Sequence, residues 1–513
     1  MESGPAEKSK KYDRQLRLWG DHGQAALESA KVCLVNATAT GTEILKNIIL
    51  PGIGSFTIVD AHKVSGEDIG NNFFLEKDTI GKSRAQVATE LLLELNEDVN
   101  GDFIEETVDN LLRNNSGFFQ NFHMVIVTDL PERTLVTLAA QLWESDTPLL
   151  VCRSYGLIGY MRMVLKEHTV VESHPDNAIE DLRLDHPFRT LTEYCNAQNM
   201  AEMTKKEHSH TPWLVIIYKF LEDWKKHNGE MPRNYKEKSK LKEMIREGIL
   251  KNQDLVPEDE ENFDEAIRNV NSTLVPTKSK PFWILARAVK EFVQNEGQGR
   301  LPVRGSIPDM TADSERYIQL QNIYKEQALQ DIAIVTNYVH QLLQTLGRPQ
   351  DNISDSDIKT FCKNASFLQL IRCRSLAQEY DPATANHADI AMHLEDTDDD
   401  DLVFYILLRA VDRFYSQYSK YPGCYGDSME ADIPKLKACV SKLLQDWGIT
   451  QNVKDDYVHE FCRYGASELH SVAAYMGGVA AQEVIKVITH QFIPINNTYI
   501  YNAMKQSSIT VQM

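Results

Sequence analysis

The stretch KVCLVNATATGTEILKNIILPGIGSFTIVD (Lys31–Asp60) decides the fold. Lys31–Val35 is a short apolar run, β-branched at Val32 and Val35 and too short for a typical helix, so it reads as a strand. A turn-rich segment follows, then Glu43–Leu50 with helical apolar spacing that stops at Pro51-Gly52. Ser55–Val59 is a second strand, ending at Asp60. Strand, tight turn, helix, strand and acid is the layout of a dinucleotide- or ATP-binding βαβ unit, which carries glycines at the turn and an acid for the ribose. Asp60 stands where that acid belongs, but the turn is Asn36-Ala37-Thr38-Ala39-Thr40-Gly41, and only the last glycine remains. Asn36 tolerates a left-handed backbone at modest cost. Thr38 puts a branched Cβ where phosphate oxygens pass. The expectation is a sheet scaffold without its phosphate cradle.

The pattern continues outward. Helical spacing over about 81–95 and 131–143 alternates with strands at Met124–Thr128 and Leu149–Cys152, which implies parallel strands with helices on both faces. From about 170 to 465 the pattern is helical. Thr211 is a candidate N-cap, with Trp213, Leu214, Ile217, Phe220, Leu221 and Trp224 on one face, and Pro281 opens a second helix bearing Leu285, Ala286, Val289 and Phe292. A longer helix is expected over Glu315–Leu346, with Leu329, Ile332, Val335, Val339, Leu342, Leu343 and Leu346 on its stripe, and others over Leu402–Tyr415 and Lys435–Trp447. A basic stretch (Lys225–Lys251), an acidic loop (Glu258–Glu261) and an acidic run (Glu395–Asp401) read as solvated surface. The last fifty residues return to the first pattern, with a helix over Ser471–His490 containing Gly477-Gly478 and a strand at Asn497–Tyr501. Those glycines suggest close packing on a sheet. The expected architecture is α/β and Rossmann-like, with a mixed, mostly parallel sheet, split by a large helical insertion. Its parts are 1–170, 171–465 and 466–513, the last completing the sheet.

The 513 residues carry 74 acids against 54 Lys and Arg, a net charge of −20, which disfavours nucleic acid as the main partner. At 42% hydrophobic and 25% charged, the composition is that of a globular protein. No apolar run approaches the ~20 residues of a transmembrane segment. Residues 1–11 are polar and lack the apolar core of a signal peptide. The eight cysteines include no CxxC pair. Reduced thiols in a cytoplasmic or nuclear setting are expected.

KYDRQLRLWGDHGQAAL (Lys11–Leu27), the run Val32–Asp60 and IGKSRAQVA (Ile80–Ala88) resemble the ubiquitin-like-activating enzymes and their bacterial relatives MoeB and ThiF, and MGGVAAQEVIKVITHQFIP (Met476–Pro494) is similar to their closing helix. The resemblance implies an adenylation-type domain and, in the helical region, the counterpart of a catalytic-cysteine domain without its cysteine. Where catalytic members have Arg-Gln-Phe this chain has Asn71-Asn72-Phe73, and Arg84 replaces their nucleotide-binding lysine. By the same resemblance Asp129 matches the magnesium-binding aspartate and Asp60 the ribose acid. A triphosphate needs oriented donors and cations, and acids left without them repel it. No cofactor is therefore expected here, and Asp60 and Asp129 are vestigial or hold local structure.

The family's Tyr-x-Arg-Gln arginine reaches across a two-fold axis to the neighbour's ATP, and its match is Arg14, with Arg17 a weaker candidate. The implied role is the non-catalytic half of an obligate heterodimer. Its partner would hold ATP, magnesium, zinc and the thioester cysteine, adenylate the ubiquitin-like modifier of cullins and pass it to a conjugating enzyme. The alternatives are the same role for another modifier, a self-sufficient adenylating enzyme, or a scaffold in which Arg14 is idle. No cysteine is followed by Thr, as the family's nucleophile commonly is. Cys373, between Arg372 and Arg374, reads as a helix cysteine beside solvated arginines, and the pair His208 and His210 lacks a third nearby metal ligand.

Overall fold

In a computed structural model of the chain the described residues are 10–175, 181–232, 234–251, 260–269, 283–345, 347–396, 401–425 and 428–513. They form two units, one of the described residues up to Val170 with Gln369–Met513, the other Val171–Leu368.

In the first unit, helix α1 (Asp13–Ser29) leads into β1 (Lys31–Val35), α2 (Ala39–Ile49) and β2 (Ser55–Val59). There follow α3 (Gly66–Asn71), α4 (Arg84–Leu93), β3 (Asn100–Ile104), α5 (Val108–Asn114), β4 (Met124–Val127), α6 (Glu132–Glu144), β5 (Leu149–Tyr155), β6 (Ile158–Val164) and β7 (His168–Val170). After the second unit the chain returns with β8 (Gln369–Ile371), α7 (Val403–Tyr418), α8 (Met429–Asp446), α9 (Asp455–Tyr464), α10 (His470–Thr489), β9 (Thr498–Asn502) and β10 (Ser507–Val511). The main sheet has eight strands in the order β10-β9-β6-β5-β4-β1-β2-β3. Strands β3, β2, β1, β4 and β5 run parallel, and β6, β9 and β10 continue the sheet antiparallel.

Strand β1 shows why the sheet is buried on both faces. Val32 and Leu34 face a core built with α1, α2, α4 and α10, whereas Cys33 and Val35 face a second core built with α5 to α9. Strand alternation divides the residues between those two cores. The second core corrects the expected boundary at 465, because α7 to α9 lie in the first unit and not in the insertion. The physical reason is burial: Val151, Tyr155, Ile158, Tyr160 and Val164 need cover, and α7 supplies it with every residue from Val403 to Val411 buried. β8 pairs antiparallel with β7, His168 opposite Ile371, so the chain re-enters where it left.

The two glycines of α10 behave differently from each other. A Cβ on Gly477 would lie 2.6 Å from the Cβ of Glu43 and 2.9 Å from its backbone, so the close approach is to α2 and not to the sheet, while a Cβ on Gly478 would meet nothing within 4 Å.

The second unit is helical. Trp213–Asn228 buries Trp213, Leu214, Ile217, Leu221 and Trp224, with Pro212 rather than Thr211 at its cap position. The long helix Ser314–Thr345 serves two cores, one through Leu320, Tyr324 and Ala328, the other through Val335, Val339 and Leu343 against Trp283–Gln294 and Asp355–Lys363. Leu329, expected on its stripe, is exposed. Pro281, Leu346, Glu258, Asp259 and 397–400 lie outside the described residues. Two of the described acids in the charged runs have partners within the fold. Glu260 is buried against His208 and the Leu250 amide, and Asp401 accepts from Asn502 and Ser507.

Candidate functional site

The turn after β1 bends at Asn36, whose φ is +66°. Its side-chain amide donates to the Thr128 and Asp129 carbonyls at 3.1 and 2.8 Å, binding the turn to the end of β4. Thr38 caps α2, accepting from the Gly41 amide at 3.2 Å and donating to the Thr128 hydroxyl at 3.1 Å. Gly41 is needed for contact, since a Cβ there would lie 2.9 Å from the Asn36 carbonyl oxygen. Asn72 donates to the Ala37 carbonyl and accepts from Thr42, both at 3.1 Å.

What stands on the first amides of α2 is Glu468, which sequence reasoning missed. Its Oε2 accepts from the Ala39 amide at 2.8 Å, and Oε1 accepts from the Thr40 amide at 3.2 Å and the Thr40 hydroxyl at 2.5 Å. The N-terminus of α2, the feature that attracts phosphate in such folds, is met by a carboxylate of the same chain. Asn71 donates to the Glu468 carbonyl at 3.0 Å. Withdrawal from water pushes the Glu468 carboxyl up, against the Thr40 and Ala39 bonds that lower it, and neighbouring Asp129 adds to the rise. The only signal in the sequence is an acid shortly before the closing helix, more than 400 positions from the turn.

Asp60 is saturated. Oδ2 accepts from the Ala37 amide at 2.9 Å and Arg84 Nε at 2.6 Å, and Oδ1 accepts from the His62 amide at 2.9 Å and lies 2.8 Å from His62 Nδ1. Burial raises its pKa, but the His62 bond and the Arg84 charge win and lower it to about 2. Arg84 spends its other arm on Asp68 at 3.1 Å. The cation in the lysine's place therefore serves the protein's own carboxylates. Asp129, at φ +48°, accepts from the Tyr421 hydroxyl. A cleft of about 820 Å³ persists here, lined among others by His62, Lys63, Asp129, Tyr421, Cys424 and Glu468. In this cleft the Ala39 and Thr40 amides, Asp60 and Asp129 all have partners within the chain.

The remaining candidates lie elsewhere. Arg14 is exposed on α1 and makes no hydrogen bond or ion pair to a described residue, whereas Arg17 pairs with Asp13 at 2.9 Å. Cys373 follows strand β8 instead of sitting in a helix, is buried, and has its thiol pushed up by burial despite Arg162. Its neighbours Arg372 and Arg374 are bound to Glu167 and to the Gln378 and Thr384 carbonyls. His208 is buried against Glu260 at 2.7 Å and stacks on Phe263, while His210 turns to the Lys206 carbonyl. Among the described residues no three His, Cys, Asp or Glu side chains are grouped to hold a metal, and no helix is long and apolar enough to cross a membrane.

The ThiF family pattern matches residues 12–513. The chain is 57% identical to a NEDD8-activating enzyme E1 regulatory subunit of Danio rerio, covering 100% of both chains. It is 57% identical to the Gallus gallus protein of that name, over 99% of this chain and 98% of the other. For the Drosophila melanogaster protein the identity is 45%, over 99% and 98%. The chain thus belongs to the ThiF family and, within it, to the family of NEDD8-activating enzyme E1 regulatory subunits.

Proposed function

We propose that this chain is the non-catalytic half of a heterodimeric NEDD8-activating enzyme, that it binds no ATP itself, and that it lends Arg14 to the ATP site of its partner. The partner carries the thioester cysteine, ATP with magnesium, and structural zinc. The pair adenylates the C-terminus of NEDD8, the ubiquitin-like modifier of cullins, and hands it on to a conjugating enzyme. The observation that carries this reading is the Glu468 carboxylate on the Ala39 and Thr40 amides. A phosphate brought there would meet Glu468 and Asp129 in place of open donors, and like charges a few ångströms apart repel strongly in a partly dry cleft. Arg14 supports the second half of the reading. Adenylation develops negative charge on the departing pyrophosphate, and a guanidinium directed at it stabilises the transition state.

ATP–pyrophosphate exchange tests the reading. The isolated chain is expected to show no exchange and no heat on titration with magnesium-ATP, and exchange appears once the cysteine-bearing partner and NEDD8 are added. In the reconstituted pair Arg14→Ala lowers exchange about 100-fold, the scale of removing one transition-state donor. Exchange by the isolated chain would show that it is a self-sufficient adenylating enzyme.

A further inference from the structure

A cation on an N-terminal helix is useful only if the helix is held still. Helix α1 has Tyr12 at its N-cap position without a side-chain cap and is broken at Gly20, where φ is +69° and ψ 175°, so the turn bearing Arg14 is a short segment ahead of the break. That segment is fastened at both ends. At its far end Trp19 is buried, its indole donates to Gln24 at 3.1 Å, and its carbonyl accepts from Gln491 at 2.8 Å. At its near end Tyr12 is 3% exposed. The Tyr12 hydroxyl accepts from Asn96 Nδ2 at 3.1 Å and donates to Asp98 Oδ2 at 3.3 Å. Lys11 Nζ donates to Asn96 Oδ1 at 2.6 Å and Asp98 Oδ2 at 2.8 Å. Asn96 also donates to the Ile49 carbonyl at 2.8 Å, which ties the anchor to the end of α2. The ring rests on Gly52, at φ +88°, where a Cβ would stand 2.7 Å from the Tyr12 hydroxyl oxygen.

We propose that Tyr12, held by Asn96 and Asp98 on the floor that Gly52 leaves open, is the positioning residue for Arg14. This rests on the reading that Arg14 acts in trans. The anchor loses the ordering entropy of the segment once, on folding, so that it is not lost again at each encounter with substrate. Arg14, two positions along, is then presented in a fixed direction.

A double-mutant cycle in the reconstituted heterodimer tests it by NEDD8-dependent ATP–pyrophosphate exchange. Tyr12→Ala is expected to lower kcat about tenfold with the KM for ATP changed less than about twofold, the pattern of a misplaced transition-state group. Tyr12→Phe, which keeps the ring, loses less. In the Arg14→Ala background Tyr12→Ala adds no further loss, because its effect passes through the arginine. Asp98→Ala, which leaves the ring in place, repeats the cycle if Tyr12→Ala does not fold. Gel filtration of each variant checks that the pair still assembles. A full kcat in both Tyr12→Ala and Asp98→Ala, or losses that multiply with that of Arg14→Ala, would overturn the positioning role alone. An Arg14→Ala pair with full activity would overturn the trans-arginine reading, and the positioning role with it.

Discussion

Asp60 is a buried carboxylate whose partners all lie within the chain. Its two oxygens take donors from Ala37, His62 and Arg84, so the ion is buried with partners rather than bare. A carboxylate held at about 2, against an ordinary 3.8, contributes on the order of 2 kcal/mol to folding. The sign follows from the lowered pKa: the contribution is complete above about pH 4 and is lost as the pH falls toward 2. Unfolding followed across that range should show a shallower acid loss for Asp60→Asn than for the unaltered chain. Parallel curves would mean that Asp60 carries no linkage. Glu468 is the opposite case, an acid whose pKa is raised by withdrawal from water. Its oxygens lie on the Ala39 and Thr40 amides at the α2 N-terminus as fixed acceptors.

At the scale of elements, the packing of α10 on α2 separates two glycines that look alike in the sequence. A methyl at Gly477 would run into the Glu43 backbone, which cannot swing aside. Overpacking of this kind costs about 1–3 kcal/mol. A methyl at Gly478 meets open space within a helix, where Ala is favoured over Gly by about 1 kcal/mol. Thermal unfolding of the two single variants should therefore move in opposite directions, Gly477→Ala down and Gly478→Ala up. Equal shifts would refute the α2 contact. Glu43 lies on the same contact. Its side chain is buried with Lys46 of α2 paired to it and His470 of α10 3.3 Å away, so α10 meets α2 through a polar contact as well as shape.

At the scale of the whole molecule, the helices after Leu368 complete the first unit instead of extending the second. Phe461 makes this concrete: fully buried on α9, it stacks on Tyr155 of β5 at 5.1 Å and on Phe404 of α7 at 6.1 Å. Truncation of a buried Phe costs about 3–5 kcal/mol. Phe461→Ala should lower the unfolding transition of the sheet unit, with hydrogen exchange at β5 amides accelerating and exchange in Ser314–Thr345 unchanged. If the helical unit loosened and the sheet did not, the assignment of α9 would be wrong. The second unit, which falls in the sequence between β7 and β8 of a separate two-stranded sheet, has its own two cores along one long helix.

The order β1, α2, β2, the mostly parallel sheet and the closing α10 and β9 were legible in the sequence, because apolar periodicity and Pro-Gly punctuation are local signals. The turn after β1 is likewise visible as letters, since only Gly41 remains of the glycines such a turn carries. Four features were decided by tertiary structure. α7 to α9 cover the sheet, Glu468 accepts from the first amides of α2, Tyr421 takes Asp129, and Asn96 with Asp98 holds Tyr12. Each joins residues dozens to hundreds of positions apart, and a periodic pattern says which face of an element is apolar without saying what will cover it. A charged side chain likewise has the same one-letter code in water as on a helix end, and only the folded backbone selects between them.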